Sequence, residues 1–199
     1  MTDRAGFYQD IAEIAALPPQ QRHGRLAELH ADVVAGYCAA VQAISPAAAA
    51  RTGPDGRSVA QVIGHIAEWD RYSILAAGEM LAGVTWPRIM VSAGFIEPDG
   101  AERKFKGVHD FNAYHAERQA SLPWEQIRDL ALRSATALQV LFAHPALLTP
   151  ELLEQTMSYQ FTLASSLTLT MPVGWYLWIV TIEHEAVEHV EEVGWGYSG

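Results

Sequence analysis

Apolar residues recur at steps of three and four in four long segments of this chain, a period that admits helices and excludes an extended sheet over most of its length. Leu26, Leu29, Val33, Tyr37, Val41 and Ile44 form the first stripe, which breaks at Ser45-Pro46. The run Thr52-Gly53-Pro54-Asp55-Gly56 forms a turn, and Ser58 then caps a second helix whose apolar face starts with Val59, Val62, Ile63 and Ile66 and should run to about Leu81. A third begins at Ser121-Leu122-Pro123, with Pro123 at the first helical position, carries Ile127, Leu130, Leu138 and Leu141, and stops at His144-Pro145. Pro172 opens the fourth, which should end near Gly194-Trp195-Gly196.

Shorter helical pieces are expected from about Gly6 to Ala16, closed by Pro18-Pro19, and from Asp110 to Gln119. Residues Gly83 to Gly107 read as a long loop over one end of the domain, and Thr156 to Thr170 as an extended segment too isolated to argue for a sheet. The expected fold is all-α: a single domain over residues 1–199, built as a four-helix bundle with a short N-terminal helix and a long loop between helices 2 and 3.

Half of the 199 residues are hydrophobic and 18% are charged, a composition that can bury a core. The net charge is -10 and unevenly spread: all 13 Lys and Arg lie at or before Arg133, and the last 66 residues carry seven acids and no base. Such a surface repels phosphate backbones and anionic lipid, and Arg103, Lys104 and Lys106, the only basic cluster, are too few for a nucleic-acid footprint. Neither nucleic acid nor membrane is therefore an expected partner. The single cysteine, Cys38, cannot form an internal disulfide and reads as a small buried hydrophobe. With no basic-then-apolar leader at the N-terminus and no apolar run of spanning length, the expected location is cytoplasmic.

The fourth helix carries the chemistry. Steps of four and three from Trp178 reach Ile182, Glu185, His189 and Glu192, which puts Glu185 and His189 on the expected interior line. The parallel line of Leu177, Thr181, His184, Glu188 and Glu191 reads as the solvated side. A Glu-x-x-x-His pair facing inward is a recurrent metal-holding arrangement in bundles, although a hydrogen bond within the helix explains the pair equally well. His65 interrupts the apolar face of the second helix. If the two faces meet, His65, Glu185 and His189 make a two-His, one-carboxylate ligand set with positions left for water or substrate. A dication there would offset the mutual repulsion of the glutamates near the helix C-terminus. His23, His30, His109, His115 and His144 lack convergent partners and read as surface or capping residues. Ser165-Ser166 lacks the glycine-flanked elbow of a hydrolase nucleophile.

Two stretches resemble the DinB-like superfamily, which includes the mycothiol-dependent maleylpyruvate isomerases and the DfsB-type four-helix proteins. They are Arg57-Ser58-Val59-Ala60-Gln61-Val62-Ile63-Gly64-His65-Ile66-Ala67-Glu68-Trp69-Asp70 and Thr181-Ile182-Glu183-His184-Glu185-Ala186-Val187-Glu188-His189. The segment from Phe111 to Arg133 is similar to the DfsB-type third-helix region, and the resemblance runs from about Arg22 to Val193. It implies a metal triad at His65, Glu185 and His189, with Glu185 standing where most members have His and the isomerase branch has Glu. It further implies a divalent ion, Zn or Ni in the first instance, and a low-molecular-weight thiol such as mycothiol or bacillithiol.

The expected function is thus a metal-dependent, thiol-dependent transferase or isomerase acting on a small electrophilic metabolite or toxin. In that reading the loop from Gly83 to Gly107 covers the site, Arg88, Arg103 and Lys104 meet an acidic substrate, and Cys38 is not needed. Two alternatives stand beside it. One is a metal-free DfsB-type hydrolase that uses Trp69 and Asp70 for detoxification. The other is a non-catalytic, stress-related metal-binding bundle, expected as a homodimer, with Trp195-Gly196-Tyr197 either at the dimer interface or over the bundle end.

Overall fold

In a computed structural model that describes residues 3–53 and 56–197, the four expected long helices are present and pack as a bundle. Pro54 and Asp55 of the turn-forming run lie outside the described residues. Helix α1 spans Arg4–Ala15 and α2 spans Pro19–Ala43, joined by the Pro18-Pro19 break. A single turn, α3 (Pro46–Ala49), leads to α4 (Val59–Leu81). Helix α4 starts as the sequence implies: Ser58 Oγ accepts from Gln61 N at 3.2 Å while Gln61 Oε1 accepts from Ser58 N at 2.8 Å, a reciprocal capping box. Helix α5 spans Val108–Gln119 and α6 spans Trp124–Ala143, with Pro123 as the cap instead of the first helical residue. After the short α7 (Pro150–Glu154), the last long helix runs through α8 (Val173–Glu183), a π-helical turn (His184–Glu188) and α9 (Val190–Val193). Gly194 closes it at φ 75°, a left-handed conformation that glycine adopts without strain.

Two segments carry strands where the sequence suggested loop or an isolated extended run. Within Gly83 to Gly107, a 3-10 turn (Arg88–Val91) precedes the antiparallel pair β1 (Ala93–Ile96) and β2 (Glu102–Lys104). Phe95 of β1 is fully buried against Tyr72, Phe105 and Phe111, which gives this small hairpin an apolar anchor on α4 and α5. The second pair, β3 (Ser158–Thr162) and β4 (Thr168–Pro172), places Tyr159 opposite Met171 and Phe161 opposite Leu169. Ser158, Gln160, Thr162, Thr168 and Thr170 alternate with them and are exposed. An isolated two-stranded hairpin is marginal, and here Phe161 packs on Tyr176 of α8 with ring centroids 4.5 Å apart. Neither pairing is legible in the sequence, although Thr156 to Thr170 reads as extended, because none of the four strands exceeds five residues and each pair is stabilised by side chains distant in sequence.

Helix α8 is apolar all round. Val173, Trp175, Leu177, Trp178, Ile179, Thr181 and Ile182 are all buried, so it is an interior element and not an amphipathic one. The expectation of a solvated line through Leu177, Thr181 and His184 therefore fails: all three are buried, under the second hairpin and α4. The aromatic tail folds back over the bundle end. Trp195 lies against Gly36 of α2, Tyr197 N donates to Ala186 O at 3.1 Å, Asp3 N donates to Tyr197 O at 2.8 Å, and the Tyr197 hydroxyl bonds Asp10. Among the described residues, no helix is long and apolar enough to cross a membrane.

Candidate metal centre

His65 stands on the second turn of α4, beside Gly64. The absence of a side chain at Gly64 lets α5 approach closely, since a Cβ there would fall 2.3 Å from Gln119 Oε1, and Gln119 Nε2 donates to Gly64 O at 2.9 Å. The opposing helix meets His65 at the π turn. In an α-helix residues five apart point about 140° away from each other, whereas π winding stacks them, and such turns recur at functional sites. Here the pair is His184 and His189, whose Nε2 atoms lie 3.2 Å apart. His65 completes a triangle, with ring centroids 5.0 Å from His184 and 5.4 Å from His189. One ring nitrogen from each of the three lies within 4.8 Å of the other two.

These imidazoles suit a metal. Burial, the neighbouring His189 and Arg57 push His65 down to about 3, and burial with His65 and His189 holds His184 well below the ordinary histidine value. Both are therefore neutral at physiological pH and retain a lone pair for coordination, as a borderline divalent ion requires. His65 and His184 line a cavity of about 440 Å³. Trp69, whose Nε1 donates to Asn112 Oδ1 at 3.0 Å, forms one wall, and Ile89, Met90 and Ser92 from the Gly83 to Gly107 segment form another. Asp70 also borders the cavity, with Ser134 Oγ donating to its Oδ2 at 3.0 Å.

The structure brings His65 and His189 together but sends Glu185 elsewhere. Its side chain is wholly buried in the bundle centre, 3.6 Å from His30 Nε2, and neither carboxyl oxygen has a hydrogen-bond partner. Burial pushes Glu185 up to about 8, and burial together with Glu185 raises Asp70 well above the usual carboxylate range. His30 is placed to face it. Trp178 Nε1 donates to His30 Nδ1 at 3.0 Å, which leaves the proton of the neutral ring on Nε2, toward Glu185. Burial also drives His30 down to about 3.

His184 takes the place beside His189 that the spacing had given to Glu185. The residue was missed because the 3.6-residue period puts it on the wrong face. The available signal was the run from Val173 to Ile182, apolar but for Thr181, which leaves no broad polar face for solvent. Glu188, read as solvated, is exposed but lies at the mouth, its Oε2 3.6 Å from His184 Nε2. Burial and the Glu183 carboxylate push it up to about 7. The side chain of Glu191 lies outside the described residues. Of the histidines expected at the surface, His109 and His144 are exposed, but His23, His30 and His115 are buried. Each fills a gap between elements: His23 against Leu148 O, His30 against Trp178, and His115 beside Glu68 and Phe111.

The arrangement of helices and hairpins has known counterparts. A crystal structure of the mycothiol-dependent maleylpyruvate isomerase superposes with a TM-score of 0.60 over 93% of this chain at 14% sequence identity. The chain has the DinB-like, maleylpyruvate-isomerase fold. A histidine-to-alanine mutant of the same isomerase also matches, at 13% identity and the same TM-score. This chain spans 64% of the isomerase chain's length. No protein-family model matches the sequence, and no curated protein matches it significantly.

Proposed function

We propose that this protein is a metal-dependent enzyme that acts on a small electrophile, with His65, His184 and His189 holding a zinc- or nickel-type ion. The observation that carries the reading is the convergence of three ring nitrogens within 4.8 Å of one another beside a cavity of substrate size. When bound, such an ion supplies Lewis acidity, making a low-molecular-weight thiol or a water nucleophilic at neutral pH. A thiol of the mycothiol or bacillithiol kind is the favoured co-substrate, because the superposed isomerase is described as mycothiol-dependent. The chain's own residues do the rest. His65 and His184 stay unprotonated and so do not compete with the ion for their own lone pairs. Trp69, Ile89, Met90 and Leu177 present an apolar wall that keeps bulk water from the reacting centre.

Metal analysis of protein purified without a His-tag tests the reading directly. Near one equivalent is expected, and less than about a tenth of an equivalent, unchanged on adding Zn or Ni, would overturn it. Two variants decide the ligand set. His184→Ala should lose the ion and Glu185→Gln should keep it; the reverse pattern would restore Glu185 as the third ligand, paired with His189 in ordinary α-helical register.

The same cavity favours a second reading, metal-free hydrolysis of a reactive small molecule. Its basis is Asp70, a carboxyl on the cavity wall held by Ser134 and raised by burial toward a proton-carrying role. His65→Ala separates the two, because it should abolish turnover in the metal reading and spare it in the other.

A further inference from the structure

We propose that the groove beneath the β3–β4 hairpin is a second subsite, one that receives an ammonium-bearing part of the molecule whose reacting end lies at the three histidines. The inference rests on the histidine pocket being the reaction site. It reverses the expectation of an acidic substrate.

The groove has a volume of about 740 Å³ and adjoins the histidine cavity, for Tyr159, Tyr176, Val180 and Glu188 line both. Two carboxyl groups, Glu183 and Glu188, line the groove, and among the described residues no Lys or Arg lines either cavity. Glu183 is fixed in place, since Tyr8 Oη and Ala164 N donate to its Oε1 at 2.8 and 2.9 Å.

Two of the cations expected to meet an acidic substrate, Arg88 and Arg103, are engaged elsewhere. Arg88 pairs with Glu79 and Glu102, and Arg103 pairs with Glu97, all away from the groove. Arg4, whose charge acts on Glu188, donates to Val187 O at 2.8 Å. Within the groove a substrate carboxylate would thus meet two acids and, among the lining residues, no Lys or Arg. An ammonium would meet two carboxyl acceptors together with three aromatic rings: Tyr176 lies 5.2 Å from Tyr159 and 4.5 Å from Phe161 between centroids. Carboxyl acceptors beside aromatic faces favour an ammonium through hydrogen bonding and cation–π contact.

The test uses the full chain stripped of metal, so that no ion can hold a carboxylate, with 2-phenylethylammonium and 3-phenylpropanoate as calorimetric probes. The ammonium should bind at least about tenfold more tightly, and Glu188→Gln should shrink that preference to about threefold or less. A Tyr159→Leu variant, which leaves both carboxyls in place, should weaken the ammonium and not the carboxylate. Equal affinities, tighter carboxylate binding, no binding of either probe, or a preference that survives both substitutions would each overturn the subsite. Metal content, measured separately, keeps the two readings apart: full metal without the preference sinks the subsite alone, and the preference without metal sinks the metal centre alone.

Discussion

The difference between His184 and Glu185 is one position in sequence and two environments in space. His184 borders the cavity with His65 and lies beside His189, while Glu185 occupies the bundle centre, with both carboxyl oxygens lacking hydrogen bonds. Unpartnered buried carboxyls are costly in their charged form, so Glu185 is held protonated at neutral pH, raised to about 8. The consequence for stability has a definite sign. Between the unfolded value near 4.5 and the folded value near 8, the folded chain holds a proton that the unfolded chain releases, so this residue's contribution falls as pH rises through that window. Glu185→Gln, which cannot ionise, should be more stable than the parent at pH 8 by on the order of 4 kcal/mol in the metal-free protein, and the gap should narrow toward pH 5. Urea midpoints at the two pH values check this, and a gap that is constant or widens toward acid would contradict it.

At the scale of elements, the capping box at Ser58 and the π turn at His184–Glu188 work together on the site. The cap marks where α4 begins, seven residues before His65. The π turn sets the angle between His184 and His189. Ser58→Ala removes one half of the box and should cost about 1 kcal/mol in stability, read from a urea titration. Metal content should be unchanged, because α4 is otherwise held by a long buried face that includes Val62, Ile63 and Ile66. Loss of the ion in a folded Ser58→Ala protein would mean that the cap positions His65 more directly than this packing implies.

For the molecule as a whole, the C-terminal tail ties the last helix to the first two. Trp195 packs so closely on α2 that a Cβ at Gly36 would sit 2.2 Å from its ring, whereas one at Gly24 of the same helix would meet nothing within 4 Å. Glycine to alanine in a helix gains up to about 1 kcal/mol from propensity alone. Gly24→Ala should show that gain. Gly36→Ala should lose stability by about 1–2 kcal/mol net, since a rigid indole must move and overpacking outweighs propensity. Chemical denaturation of the pair reads out the tail's contribution, and a stabilised Gly36→Ala would show that the tail does not dock there.

The sequence by itself determined the helices and their order. Apolar stripes, the Ser58 cap, Pro123, Pro172 and Gly194 are local signals, and local backbone chemistry is sufficient to start and stop a helix. It also singled out His65 and His189, polar side chains on apolar faces, and the fold brings the two rings together. Tertiary structure decided the rest. The two hairpins exist because Phe95 and Phe161 find aromatic partners on helices far away in the chain, which no window of sequence contains. The third member of the histidine group depends on one extra residue in one helical turn, a change of winding that a fixed 3.6-residue period cannot register. And whether Glu185 or His184 faces the cavity is settled by which neighbours surround each, a property of the packed bundle and not of any segment of it.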